Sequence, residues 1–229
     1  MSKIEKKIIA IGGVGVSPES DKELDNFIIN HSKKMKNNIG FLGTASKDDK
    51  EKINKFYKRF DNTSSELSHF NLTSDIDGFH EWLLNKDIVY VGGGNTFYML
   101  EIWKKNNLEQ VFKKAYEKGL ILSGVSAGAV CWFEWILSDS MGRGFEPLKG
   151  INLIEGSCTP HSDNIERINE FEFNIKNNKL PNGVAIDDGV AVVFIDGKPT
   201  EVYSSINNHN AYFLDKNTKI NLKEYIKNI

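Results

Sequence analysis

Cysteine, proline and long apolar runs are all scarce in this chain of 229 residues. Two cysteines, Cys131 and Cys158, stand outside any Cys-x-x-Cys pair and far from histidines at zinc-finger spacing, which excludes a zinc ribbon or a disulfide scaffold. Both are expected to be buried packing residues of a reducing compartment. The amino-terminal "MSKIEKKIIAIGG" has only four apolar residues in a row, far short of a signal-peptide core or a membrane span. A cytoplasmic protein with no membrane partner is expected. The five prolines form no linker and no segment repeats, so a single domain over residues 1–229 is the reading. Charge of one sign is also missing. With 29 basic and 31 acidic residues the net charge is −2, which gives no pull toward nucleic acid. Basic clusters such as "HSKKMK" lack interleaved aromatics and read as solvated helix faces. A small-molecule partner remains.

Alternation is what the chain has in abundance. Apolar runs and helix-like stretches follow one another, the pattern of a mostly parallel sheet covered on both faces. "KIIAIGG", "IGFLGTAS", "ELSHFNLT", "DIVYVGGGNT" and "LILSGVS" read as five strands. The first is followed by a helix with a Ser20/Glu23 capping box and apolar Leu24, Phe27 and Ile28 on one face. "FYMLEIWKKNNLEQVFKKAYEKG" reads as two helices broken at the asparagines. Beyond Phe133 the signal weakens. "CWFEWILSDS" is expected to continue a buried helix with Trp132 and Trp135 in the core, and "NIERINEFEFNIKNN" to form a helix capped by Asp163. "GVAIDDGVAVVFIDGKPTEVYSS" reads as strands joined by Asp-Gly turns, an antiparallel extension at the carboxyl end.

In open parallel sheets ligands bind beyond the carboxyl ends of the strands. Two loops there carry chemistry. "GVSAG" puts Ser126 at a strand-to-helix corner between glycines, lifted out of the sheet, with the Ala127 N–H at the positive end of the next helix as an oxyanion donor. "GGGNT" bares backbone amides, so Gly93 or Gly94 is the second donor, and Asn95 or Thr96 caps the following helix. A P-loop is excluded by the missing Lys-Ser/Thr, and "GGVGVSP" lacks the third glycine of a dinucleotide fingerprint.

A serine nucleophile needs a base. Of five histidines, His31 lies on a lysine-rich helix face and His69 and His80 in structural elements. His161, in "CTPHSD", and His209, in "NNHNAY", lie in polar loops. The order Ser126, Asp187 or Asp188, His209 would suit an α/β-hydrolase esterase, whereas Ser126, His161, acid would not. A binding module without catalysis is the third reading.

"VGGGNTFYML", "GVSAGAVCWF", "PHSD" and "ERINEF" together resemble the peptidase E, or aspartyl dipeptidase, family of serine peptidases, over roughly Ile8 to Val193. The resemblance implies a three-layer α/β/α fold of the flavodoxin-like, class I glutamine amidotransferase-like kind. It implies hydrolysis of a short peptide with no metal or cofactor, and with no heptad or isolated apolar patch in the sequence, monomer and homodimer both stay open. Carried over position by position, Ser126 corresponds to the nucleophile, His161 to the base, and Gly93 and Ala127 to the oxyanion donors. Gly94, Asn95, Thr96 and Asn164 fall at substrate-binding positions. The triad acid matches Asp188 best, with Asp187, Asp139 and Glu134 as rivals. One departure concerns specificity. Asn164 stands where aspartyl-specific members carry a recognition arginine, which leaves Arg143 and Arg167 as other candidates for carboxylate recognition.

Overall fold

A computed structural model of the chain describes residues 4–61 and 63–228. In the first half, β1 (Lys7–Ile11), β2 (Asn38–Leu42), β3 (Glu66–Phe70), β4 (Ile88–Val91) and β5 (Ile121–Val125) alternate with α1 (Pro18–Asn30), α2 (Lys50–Phe60), α3 (Phe79–Leu84), α4 (Thr96–Lys105) and α5 (Leu108–Glu117). The second half runs α6 (Ala127–Val130), β6 (Phe133–Ser138), β7 (Glu146–Lys149), β8 (Ile154–Thr159), α7 (Ile165–Lys176) and β9 (Gly183–Ile186). It ends with β10 (Val190–Ile195), β11 (Lys198–Ser204), β12 (Ala211–Leu214), β13 (Lys219–Asn221) and α8 (Leu222–Lys227).

Two sheets result. The larger has the order β11-β10-β1-β5-β4-β2-β3, in which β1 to β5 are mutually parallel and β10 and β11 form an antiparallel edge. The α/β class and the antiparallel extension thus stand as expected. The Asp196-Gly197 turn closes the β10–β11 hairpin with φ of 50° and 81°, the left-handed pair that a two-residue hairpin of this hand demands. The second sheet, β13-β12-β9-β8-β6-β7, was not foreseen as a separate sheet. Within it β6, β8 and β9 are parallel, and α7 is the crossover between β8 and β9.

The layers follow from which faces are apolar. α1 and α2 cover one face of the large sheet, burying Leu24, Phe27, Ile28, Phe56 and Phe60 against Ile9, Ile11, Phe41 and Tyr90. The other face packs on α3 to α6 and on the second sheet, around an aromatic knot in which Trp103 lies 4.4 Å from Phe112 and 5.8 Å from Trp132. α7 closes the far side with Ile168, Phe171 and Ile175. Cys131 and Cys158 are both buried and unpaired, and burial pushes their thiols well above the usual range.

Three local expectations are corrected. α1 starts three residues earlier than the Ser20/Glu23 box, because Ser17 accepts the Ser20 N–H at 3.1 Å and Pro18 occupies the first turn, where its missing N–H costs nothing. Asn164 and not Asp163 caps α7, accepting from Glu166 and Arg167 N–H at 3.0 and 3.1 Å. The helix after Ser126 is a single turn. From Phe133 the chain is strand β6, whose β-branched and aromatic side chains pair with β8 and β7. Trp132 is core as expected, and Trp135 is only half-buried, under the Lys149 ammonium.

Candidate active site

The corner after β5 is built by backbone packed on backbone. A Cβ at Gly124 would strike the Gly128 carbonyl, and one at Gly128 would strike that of Val91, so only glycine lets the chain fold back this tightly. Between them Ser126 holds φ 54° and ψ −114°, a conformation that L-residues avoid unless the surroundings impose it. Its N–H donates to Ile11 at 2.9 Å and its carbonyl accepts from Ala129 and Val130, so its main chain is fully engaged.

His161 enters from the loop between β8 and α7, also at positive φ (52°). Its Nδ1–H donates to Asp188 Oδ1 at 2.5 Å, which fixes the tautomer, and Nε2 accepts the Ser126 hydroxyl at 2.9 Å. Asp188 is held through its main-chain N–H and carbonyl. Its N–H donates to Asp163 Oδ1 at 3.0 Å, and its carbonyl accepts from His209 Nδ1 at 2.8 Å. A Cβ at Gly13 would overlap the Asp188 carboxylate and crowd His161 Cε1, so the glycine pair ending β1 makes room for this contact. In the sequence that pair reads only as part of a dinucleotide fingerprint that lacks its third glycine. Glycines just past the end of a strand are a signal for close approach, here to the segment that carries Asp187 and Asp188.

The remaining candidates sort by geometry. Asp187, buried, accepts from Ser162 Oγ at 2.5 Å and Asn210 N–H at 2.9 Å, pinning two loops. Asp139 pairs with Arg167 at 2.7 Å, whose guanidinium lies over the Phe145 ring. Glu134 accepts from Gly156 N–H at 3.4 Å in the second sheet. Arg143 is exposed on a turn. His209 touches Asp188 and not Ser126.

Gly93 abuts the nucleophile corner, its Cβ position 3.3 Å from Ser126 Cβ. Among the described residues neither the Gly93 nor the Ala127 N–H donates a hydrogen bond, so both stay available beside Ser126. Lys52 donates to the Gly93 carbonyl at 3.0 Å, a support with no signal in the sequence. Gly94 backs onto the Ala45 carbonyl, Asn95 caps α4 through Tyr98 N–H at 2.7 Å and donates to Ser140, and Thr96 is buried. Asn164 is exposed and engaged as a helix cap. A cavity of about 870 Å³ opens at Ser126 and His161 and runs between α1 and α2.

Comparison with known proteins identifies the family. The chain matches peptidase family S51 over residues 8–202. It is 38% identical over 213 residues to an uncharacterized peptidase, YgaJ, of Bacillus subtilis strain 168, covering 90% of this chain and 91% of the relative. An uncharacterized peptidase of Listeria innocua, Lin0382, is 25% identical over 176 residues, 70% of this chain and 80% of the relative. Among solved structures, a peptidase from an acI-B1 actinobacterium superposes with a TM-score of 0.70 at 17% identity, over 96% of this chain and 95% of that one. A putative peptidase E protein from Listeria monocytogenes EGD-e gives 0.59 at 16% identity, over 95% and 98%. The resemblance drawn from the glycine loop, the serine corner and the Pro-His loop therefore holds, and the chain belongs to the peptidase S51, or peptidase E, family.

Proposed function

We propose that this peptidase is a serine exopeptidase, a dipeptidase that works through an acyl-enzyme, with Ser126 as nucleophile, His161 as general base and Asp188 as the orienting acid. The observation that carries the reading is the unbroken line from Asp188 through His161 to the Ser126 hydroxyl, with links of 2.5 and 2.9 Å. Those links match the reach of an activated nucleophile and its base. Ser126 Oγ attacks the scissile carbonyl carbon as its proton moves to His161 Nε2. Asp188, bound at Nδ1, stabilises the imidazolium so formed. The developing oxyanion is met by the free N–H groups of Gly93 and Ala127, the latter at the start of α6. The C–N bond then breaks, His161 returns its proton to the leaving amine, and water, deprotonated by the same imidazole, releases the acid and restores Ser126.

The esterase reading through His209 is not favoured, since that ring serves the Asp188 carbonyl. The test is release of free amino acids from a dipeptide panel, by wild type and by Ser126→Ala. Loss of release in the variant is expected. Equal rates would refute the proposal.

A further inference from the structure

The cavity that opens at Ser126 is larger than peptide-bond chemistry requires. Its volume, about 870 Å³, lies in the range that accommodates whole small ligands. The walls are aromatic and apolar: Phe41, Phe56 and Phe60, joined ring to ring at 4.9 and 5.2 Å, together with Tyr90 and Val125. Its length follows from strand register. Tyr90 pairs with Ser123, three residues before Ser126, so the Tyr90 level lies about 10 Å below the nucleophile at the usual rise of a parallel strand. A short side chain attached to the attacked carbonyl would leave most of that slot empty.

Charge at the inner end selects further. Arg59 closes it, with Nε and Nη2 donating to the two Asp25 oxygens at 2.8 and 2.6 Å and Nη1 3.9 Å from Asp21. Both carboxylates and the guanidinium border the cavity. An acidic side chain reaching this point meets two carboxylates, and a basic one meets Arg59. Either would be desolvated beside a like charge. A neutral ring meets aromatic walls and carries no charge to desolvate. Lys22, Lys52, Lys55 and Lys58 border the mouth, but all are exposed, and solvent and salt screen them. Ser126, His161 and Gly93 all border the open end of the cavity, which puts the attacked carbonyl at its mouth; the groove is assigned to the acyl side chain, and the Ala-Phe arm below tests the opposite assignment.

We infer that the groove between α1 and α2 is the pocket for the side chain of the residue whose carbonyl Ser126 attacks, and that it takes a large neutral aromatic side chain, phenylalanine or tyrosine. This rests on the serine-peptidase reading above.

The experiment compares kcat/KM for Phe-Ala, Tyr-Ala, Asp-Ala, Lys-Ala, Ala-Ala and Ala-Phe, with Ser126 labelling by a fluorophosphonate measured in parallel. Phe-Ala and Tyr-Ala are expected to exceed each of the others by at least about tenfold, the scale on which a filled apolar pocket discriminates. Asn26→Trp, which places a ring in the groove from the exposed side of α1, should collapse the Phe-Ala to Ala-Ala ratio toward one, mainly through KM. Lys55→Trp does the same from α2 and serves if the first variant does not fold. Cleavage in which Asp-Ala, Lys-Ala, Ala-Ala or Ala-Phe matches Phe-Ala overturns the inference and leaves the serine mechanism standing. So does an unchanged ratio in a tryptophan variant with the unfolding midpoint of wild type. No cleavage together with no label on Ser126 removes the mechanism and this inference with it.

Discussion

The two halves of the candidate site are held by different forces. Around Ser126 the chain is fixed by shape. Gly124 and Gly128 bring three backbone segments into contact, and the serine itself holds a left-handed φ of 54°. Around His161 and Asp188 the chain is fixed by polar side chains. Asp163 and His209 clamp the Asp188 main chain on either side of its Cα, and Asp187 ties Ser162 to Asn210. The serine half therefore admits no added atom but asks little of its neighbours' chemistry. The histidine half is closed to an added Cβ at Gly13 as well, but beyond that it depends on each acceptor. The difference also separates two kinds of failure. Ser126 itself apart, a fault in the first half shows as lost stability, and a fault in the second as lost rate, except where the acceptor is buried.

Four substitutions test that contrast, in falling order of expected effect. Asp188→Asn should lower kcat by roughly 10³ to 10⁴, because the amide no longer enforces the reactive tautomer or stabilises the imidazolium. Its thermal unfolding midpoint should stay close to that of wild type, and a large fall would show that Asp188 is structural instead. Gly128→Ala should destabilise by about 3 kcal/mol, since the new methyl meets the rigid Val91 carbonyl, and denaturant titration would register it. A neutral result would mean that the corner can relax. Asp187→Asn should cost about 1–3 kcal/mol of stability by disturbing buried bonds to Ser162 and Asn210, while kcat in the folded fraction changes little. Because Asp187 and Asp188 are adjacent, an inversion of their two phenotypes would break the comparison outright. Asp163→Ala should have the smallest effect, about tenfold in kcat/KM, as one of two restraints on Asp188 is lost. Turnover equal to wild type would assign the restraint to His209 alone.

What the sequence disclosed divides along the same line. β1 to β5 and their helices are legible because each is a local apolar run bounded by turn residues, and the Gly-x-Ser-x-Gly corner because steric demand writes itself as glycine. The second sheet is not legible. Its strands include "EPLK" and "KIN", too short and too polar to show a period, and their pairing depends on partners far along the chain. The His161 half is only partly legible. A Pro-His loop can be seen, but whether Asp187 or Asp188 meets the ring depends on which way two successive side chains point, and that is set by the crossing from the second sheet to the first. The Asp163 and Asn164 roles were exchanged for the same reason, since either residue can cap a helix and only the fold gives Asp163 the Asp188 N–H instead. Arg59, at the foot of the groove, shows nothing in the sequence beyond one more cation on a charged helix.

The central claim is that Ser126 is a nucleophile activated by His161 and Asp188. Intact mass after incubation with a fluorophosphonate tests it most directly, on wild type, Ser126→Ala and His161→Ala. The account predicts a single adduct on wild type, none on Ser126→Ala, and labelling slowed by orders of magnitude on His161→Ala. Absence of an adduct on folded wild type, or equal labelling of wild type and Ser126→Ala, would contradict it.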